Sequence, residues 1–136
     1  MITAVDTSVL LDLFGADPTF GLRSRTAVRS CLSEGRLIAC EVVWAEVGSF
    51  FPSPRDAQEA MDRLGVEYSP VELNTALAAS RAWKLYRSRG GERQRVVADF
   101  LVGAHALSQA ERLLTRDRGF YRTYFSRLRV LDPTRG

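Results

Sequence analysis

The sequence predicts an α/β fold with a mostly parallel central sheet flanked by helices. Five short segments rich in β-branched or apolar residues, at 2–5, 36–40, 66–68, 112–115 and 128–131, alternate with stretches of helical periodicity. Parallel strands need crossover connections, and the intervening helices supply them. With 136 residues and 46% hydrophobic content, the chain is about the size of one globular domain, so residues 1–136 read as a single domain.

Taken in order, Ile2-Thr3-Ala4-Val5 reads as a strand ending at Asp6, and Asp6, Thr7 or Ser8 can cap a helix that Gly15 closes. Asp17-Pro18 opens a second helical segment in which Phe20, Ala27, Val28, Cys31 and Leu32 share a face, ended by Gly35. Strand 36–40 leads into a helix at 42–47 that carries Glu46 early in its course. Pro52 and Pro54 break the chain, Ser53 offers a cap for a helix at 55–64, and Val66–Tyr68 forms a brief strand. A long helix follows from Glu72 to about Arg89, with Leu73, Ala76, Leu77 and Trp83 available for burial and Gly90-Gly91 as its stop. The apolar stretch 96–107 is a helix with Asp99 in its first turn and Val97, Leu101, Ala104 and Ser108 along one face. Arg112–Thr115 is a strand, 116–121 a turn and short helix, and Leu128–Leu131 the last strand. Repeats and low-complexity tracts are absent.

Charge is distributed unevenly along the chain. Residues 1–80 carry −5, residues 81–136 carry +8, and all but one of the basic residues in the second part are arginine. Arginine's planar fork matches phosphate oxygens, so this part is read as a nucleic-acid face, with Arg87, Arg89, Arg93, Arg95, Arg116 and Arg118 as the contacts to test first. Asp12 and Glu41 are read as surface or capping acids. Cys31 and Cys40 lack CxxC spacing and are expected as buried free thiols. One histidine and two ill-spaced cysteines exclude a zinc site, and His105 is expected to be structural. No run reaches the ~18 apolar residues of a membrane helix, and the amino end lacks a signal-type core, so the expected location is cytoplasmic.

Four acids should meet on one edge of the sheet. Asp6 and Asp117 follow strands, and Glu46 follows a strand on its helix. Asp99 starts a helix that runs back into the strand at 112, so its start returns to the same edge. In parallel sheets ligands bind outside the carboxyl ends of the strands. Clustered carboxylates repel one another unless a counter-charge offsets the cost, and hard divalent cations such as Mg²⁺ or Mn²⁺ take oxygen ligands. A metal beside arginines points to phosphodiester chemistry.

The stretches Val5–Asp12, Ala45–Val47, Ala98–Ala106 and Leu114–Tyr121 resemble the successive motifs of PIN-domain ribonucleases, and most of all VapC-type toxins of toxin-antitoxin pairs. The resemblance covers nearly the whole chain. It implies a single PIN-like domain and an acidic metal site of Asp6, Glu46, Asp99 and Asp117, with Ser8 and Thr115 in support. It further implies dependence on Mg²⁺ or Mn²⁺, an RNA substrate such as tRNA or rRNA, a VapB-type antitoxin as partner, and a homodimer. The mechanism expected is hydrolysis by a metal-activated water, leaving a 5′-phosphate and a 3′-hydroxyl.

A metal-independent histidine-pair ribonuclease is excluded by the single His105. A receiver-type phosphotransfer domain would need a lysine beyond the last acid, whereas Lys84 precedes Asp99; a dehalogenase-type phosphatase would need a second aspartate at position 8. The remaining rival is a binding module with the same fold and basic face that lacks the chemistry. Two aromatic groups, Trp44 with Phe50 and Phe51, and Trp83 with Tyr86, can each be core or partner surface.

Overall fold

Strand β1 (Ile2–Val5) forms the middle of a five-stranded sheet. It is flanked by β2 (Arg36–Ala39) on one side and β4 (Arg112–Leu114) on the other; β3 (Val66–Tyr68) and β5 (Val130–Leu131) form the edges. Every pairing is parallel, in the order β3-β2-β1-β4-β5, as the alternation of strands and helices requires. The computed structural model describes residues 1–90 and 95–135; Gly91 and Arg93 lie outside the described residues. Within the strands, Thr3–Val5, Leu37–Ala39 and Arg112–Leu114 are buried, the continuous burial expected of strands covered on both faces.

The connections are the helices α1 (Thr7–Phe14), α2 (Gly21–Glu34), α3 (Glu41–Gly48), α4 (Pro54–Leu64), α5 (Leu73–Ser88), α6 (Val97–Gln109) and α7 (Arg118–Tyr124). Ser53 caps α4 as the sequence indicates, accepting the N–H of Asp56 at 3.1 Å. The second helix starts later than expected, at Gly21, because Asp17 Oδ1 accepts the N–H groups of Thr19 and Phe20 (2.9 and 2.8 Å) and holds a turn ahead of it. Helix α5 ends where Gly90 adopts a positive φ of 69°.

Two buried faces differ from the apolar pattern. On α5 the buried side is Thr75, Ala79 and Tyr86, leaving Leu73 and Leu77 exposed at 74% and 55%. On α6 Val97 and Ser108 are exposed, and the buried surface runs through Phe100 and from Val102 to Ala106. Aromatic packing turned these helices. Phe100 is fully buried and its ring meets those of Trp83, Tyr86, Phe120, Tyr124 and Phe125 at 5.2–6.2 Å. Gly103 lets α6 approach closely, since a Cβ there would stand 2.4 Å from a ring carbon of Phe125. Of the two aromatic groups, Tyr86 is core, whereas Phe50 is half exposed.

His105 is structural, as expected, being only 1% exposed with Nε2 3.0 Å from Ser69 Oγ. Burial holds its pKa below the ordinary imidazole value, against the opposing pull of Glu41. A group depressed in this way costs stability once the pH falls below its unfolded value of about 6.5. Thermal melts of the wild type should therefore lose more between pH 7.5 and 5.5 than melts of His105→Gln. Equal losses would show that the histidine does not titrate with unfolding. Both cysteines are buried free thiols.

Candidate active site

The strand order reverses between β1 and β4. The chain passes from β1 outward through β2 to β3, then returns across β1 to place β4 on its other side. The crevice beyond the carboxyl ends of β1 and β4 is therefore the topological switch point, where open parallel sheets bind ligands. Asp6 follows β1 directly, and its backbone N–H extends the ladder to Leu114 O at 2.9 Å. Thr115 and Asp117 follow β4.

A chain of contacts runs through all four acids. Glu46 Oε1 accepts the Thr7 hydroxyl at 2.7 Å, and Asp6 Oδ1 accepts the Thr7 N–H at 2.8 Å. Asp6 Oδ2 accepts the Thr115 hydroxyl at 2.7 Å and, at 3.4 Å, that of Tyr121. Thr115 Oγ1 in turn accepts the Asp117 N–H at 3.0 Å. Arg95 Nη1 closes the series, 2.5 Å from Asp117 Oδ2 and 4.0 Å from Asp99 Oδ1.

Each aspartate is set by a helix start. Asp6 caps α1, and Asp117 stands immediately before α7. Asp99 is the third residue of α6, and its Oδ2 accepts the Val96 N–H at 3.2 Å, the acidic half of a capping box. The positive ends of α1 and α6 thus help to hold negative charge at the site. Glu46 lies in the second turn of α3 rather than early in the helix, and it is exposed.

Electrostatics report the same convergence. Burial pushes the pKa of Asp6 above the ordinary carboxylate value, opposed by its Thr115 and Thr7 hydrogen bonds and reinforced by Glu46 and Asp117. The buried Tyr121 hydroxyl is held far above the usual phenol range, first by burial and then by Asp6, Asp99 and Asp117. Tyr121 and Thr7 are site residues that the sequence did not single out. Tyr121 belongs to the stretch Leu114–Tyr121, but nothing in its spacing shows that its hydroxyl turns toward Asp6.

The site carries oxygen donors alone, which suits a hard divalent cation. Ser8, two residues beyond Asp6, has a buried hydroxyl without a hydrogen-bond partner, leaving its oxygen free for a water or an ion. Among the described residues no group of three or more His, Cys, Asp or Glu side chains converges tightly enough to hold one ion as they stand. Mg²⁺ is typically held through one or two carboxylates, with water and substrate oxygens completing its shell, so the donors still fit it. Two surface grooves, one between α2 and residues 131–135 and one between α3, α4 and Tyr68, include none of the four acids. The side chains of Asp99 and Asp117 stay partly exposed, at 31% and 38%, whereas Asp6 lies deeper.

The arginines divide into two sets. Arg116 donates to both oxygens of Asp12 (2.7 and 3.0 Å) and lies over the Phe20 ring at 4.1 Å, while Arg95 lies over Phe120 at 4.3 Å. Asp12 is therefore not a surface acid. It is 4% exposed and also accepts the Ser24 hydroxyl at 2.9 Å, because a buried carboxylate needs its lone pairs filled. Asp12→Ala should destabilise the protein by about 1–3 kcal/mol, with Arg116 free to turn toward solvent and limit the loss. A change in melting temperature under about 2 °C would show that the pair carries no stability.

The second set reaches solvent. Arg87 and Arg89 are exposed at the end of α5. Arg118 has its pKa lowered by burial and by the nearby charges of Arg122 and Arg135. Arg122 and Arg135 extend the basic cluster beyond the arginines legible in the sequence, because residue 135 reaches α7 only in the folded chain.

A family model described as the PIN domain matches residues 3–126. The chain belongs to the PIN-domain family. Nuclease activity is typical of PIN domains. Among curated proteins no sequence matches significantly.

Solved structures extend the likeness of fold to toxins. VapBC2 from Rickettsia felis, bound to a DNA fragment from its promoter, matches with a TM-score of 0.75 at 15% identity, covering 97% of this chain and 98% of that one. VapBC-1 from nontypeable Haemophilus influenzae matches at 0.74 and 19% identity, covering 99% and 100%. VapC20 from Mycobacterium tuberculosis, a Sarcin-Ricin loop cleaving toxin, matches at 0.55 and 17% identity, covering 82% and 86%. This PIN domain thus has a VapC-like fold. Among its described residues no helix is long and apolar enough to cross a membrane.

Proposed function

We propose that the protein is a metal-dependent endoribonuclease, the toxin of a type II toxin-antitoxin pair, acting on structured RNA such as tRNA or rRNA. The observation that carries this reading is the hydrogen-bond and ion-pair chain linking Glu46, Asp6, Asp117 and Asp99 at the switch point. Asp6, Asp99, Asp117 and Glu46 would hold Mg²⁺ or Mn²⁺, with Ser8 and Thr115 in support. When bound, the cation supplies a lowered water pKa and a counter-charge for the phosphate.

The remaining steps belong to the chain. Thr7 and Thr115 fix the carboxylates of Glu46 and Asp6, and the Tyr121 hydroxyl adds a longer hydrogen bond to Asp6 Oδ2. Arg87, Arg89 and Arg118, with Arg122 and Arg135, make no carboxylate ion pair among the described residues and would grip the RNA backbone, a contribution that weakens as salt rises. Arg95 and Arg116 would contribute only after leaving their carboxylate partners, and Arg93 retains its place in the proposal on its sequence position.

A VapB-type antitoxin as partner is supported by the fold likeness to chains solved as VapBC complexes. The exposed leucines of α5, Leu73, Leu77 and Leu85, supply apolar surface of the kind a homodimer or an antitoxin covers. Cytoplasmic action follows from such a substrate. The second reading is a nucleic-acid-binding module without catalysis, which the Arg95 ion pairs with Asp117 and Asp99 favour. Sequencing of 5′ ends after incubation with total RNA separates the two. The nuclease reading expects new 5′-phosphate ends at a few sites with Mg²⁺, absent with EDTA and with Asp99→Asn; identical patterns for wild type and variant would leave the binding module.

A further inference from the structure

We infer that Arg95 is the acidic site's built-in counter-ion and that it competes with the divalent cation for Asp117 and Asp99. The inference rests on the metal-dependent reading proposed above. Three contacts carry it. Arg95 Nη1 lies 2.5 Å from Asp117 Oδ2 and 4.0 Å from Asp99 Oδ1, and its guanidinium carbon lies 4.3 Å from the centroid of the Phe120 ring. The side chain is thus held at the acids by charge on one side and an aromatic face on the other.

The two occupants exclude each other. The oxygen of Asp117 that accepts from Arg95 is one a cation would need, and a guanidinium cannot share its space with a hydrated ion. Arg95 stands two residues ahead of α6, so its side chain can swing out without disturbing the buried part of that helix. Cation loading and arginine release are therefore one coupled event. The fraction of molecules with Arg95 undocked scales the apparent metal affinity directly. The released guanidinium remains beside the site, where a phosphodiester would be the next acceptor for its fork.

A purely structural ion pair makes the opposite prediction. If Arg95 merely braced Asp117, its removal would leave the carboxylate poorly placed and metal binding weaker. Competition makes removal strengthen binding. Loss of any positive charge nearby also favours cations over longer range, and Arg118→Gln, adjacent to Asp117 in sequence, controls for that effect.

The test is calorimetric titration of the full chain with MnCl2 at fixed pH and moderate salt, for the wild type, Arg95→Gln, Arg118→Gln and Asp99→Asn. Thermal melts with and without Mn²⁺ accompany it. Arg95→Gln should bind Mn²⁺ about three- to tenfold tighter than the wild type. Arg118→Gln should stay within about twofold, since Arg118 makes no ion pair with Asp117 or Asp99 and acts on the site only at longer range, where salt screens it. Without Mn²⁺ the Arg95→Gln protein should melt below the wild type, and saturating Mn²⁺ should close that gap. Equal or weaker binding by Arg95→Gln, or an equal gain in Arg118→Gln, overturns the inference while leaving the metal site intact. Failure of every protein to bind Mn²⁺ overturns the metal-dependent reading and the inference with it.

Discussion

Asp6→Asn is expected to make the protein more stable and to remove the proposed hydrolytic activity. The carboxylate is enclosed by Thr7, Thr115 and Tyr121, and burial together with Glu46 and Asp117 pushes its pKa up. The sign follows from that direction. A carboxyl whose folded pKa lies above its unfolded value binds its proton more tightly when folded, so its ionisation costs stability as the pH rises above the unfolded value. At neutral pH the wild type bears that cost and the amide does not.

The amide can keep the hydrogen bonds. Its oxygen accepts from the Thr7 N–H, and its NH₂ group can donate to the Thr115 and Tyr121 hydroxyls, whose protons rotate. A gain of about 1 kcal/mol, a few degrees in melting temperature, is the expected scale. Cleavage should fall by about a thousandfold or more, because an amide cannot supply the negative charge that holds the cation. Unchanged cleavage in a well-folded Asp6→Asn protein would remove Asp6 from the chemistry. A lower melting temperature would show that its charge is stabilised in the fold.

Phe100→Ala is expected to cost about 3–5 kcal/mol, the usual range for truncating a fully buried phenylalanine. The ring is where α5, α6 and α7 meet, packed against Trp83 and Tyr86 from the first, and Phe120 and Tyr124 from the last. A loss of that size lowers the melting temperature by about 10 °C or more in a chain of this length. The functional effect should be out of proportion even where the variant stays folded. Phe100 is bonded to Asp99, and the Phe120 ring it supports lies under Arg95. Removing it loosens two acids and their arginine together. Calorimetry and cleavage at 20 °C would measure both, with Phe50→Ala as the comparison, since Phe50 is half exposed and should cost under about 1 kcal/mol. Equal costs for the two would contradict the assignment of Phe100 as the shared anchor.

The sheet and the neighbourhood of the acids were legible because each rests on local signals read through topology. Ile2–Val5 and Arg112–Leu114 announce themselves as buried strands, and the residues that follow them must emerge at the same edge. Asp99 required one more step, the direction of the helix returning to β4. Glu46 was placed at the correct edge but at the wrong point of its helix, since nothing local distinguishes the first turn of α3 from the second.

Residues whose roles depend on distant partners were not legible. Asp12 is the one charged residue in the apolar run Val9–Phe14, and only the fold brings Arg116 to it across 104 positions of sequence. Arg95 and Arg116 count as basic surface by composition, but the structure binds both to carboxylates. Leu73 and Leu77 form an apolar stripe that the pattern assigns to the core. The ring of Phe100 draws Tyr86 inward instead and turns those leucines to solvent.

On the proposed function, the edge carrying Asp6, Glu46, Asp99 and Asp117 holds a divalent cation. Anomalous diffraction at the manganese edge from crystals grown with Mn²⁺ tests it most directly. A peak is expected within about 2.0–2.4 Å of at least one of these carboxylates, the rest of its shell completed by water, with Arg95 turned away from Asp117. A crystal saturated with Mn²⁺ that showed no peak at this edge, with Arg95 still paired to Asp117, would contradict it.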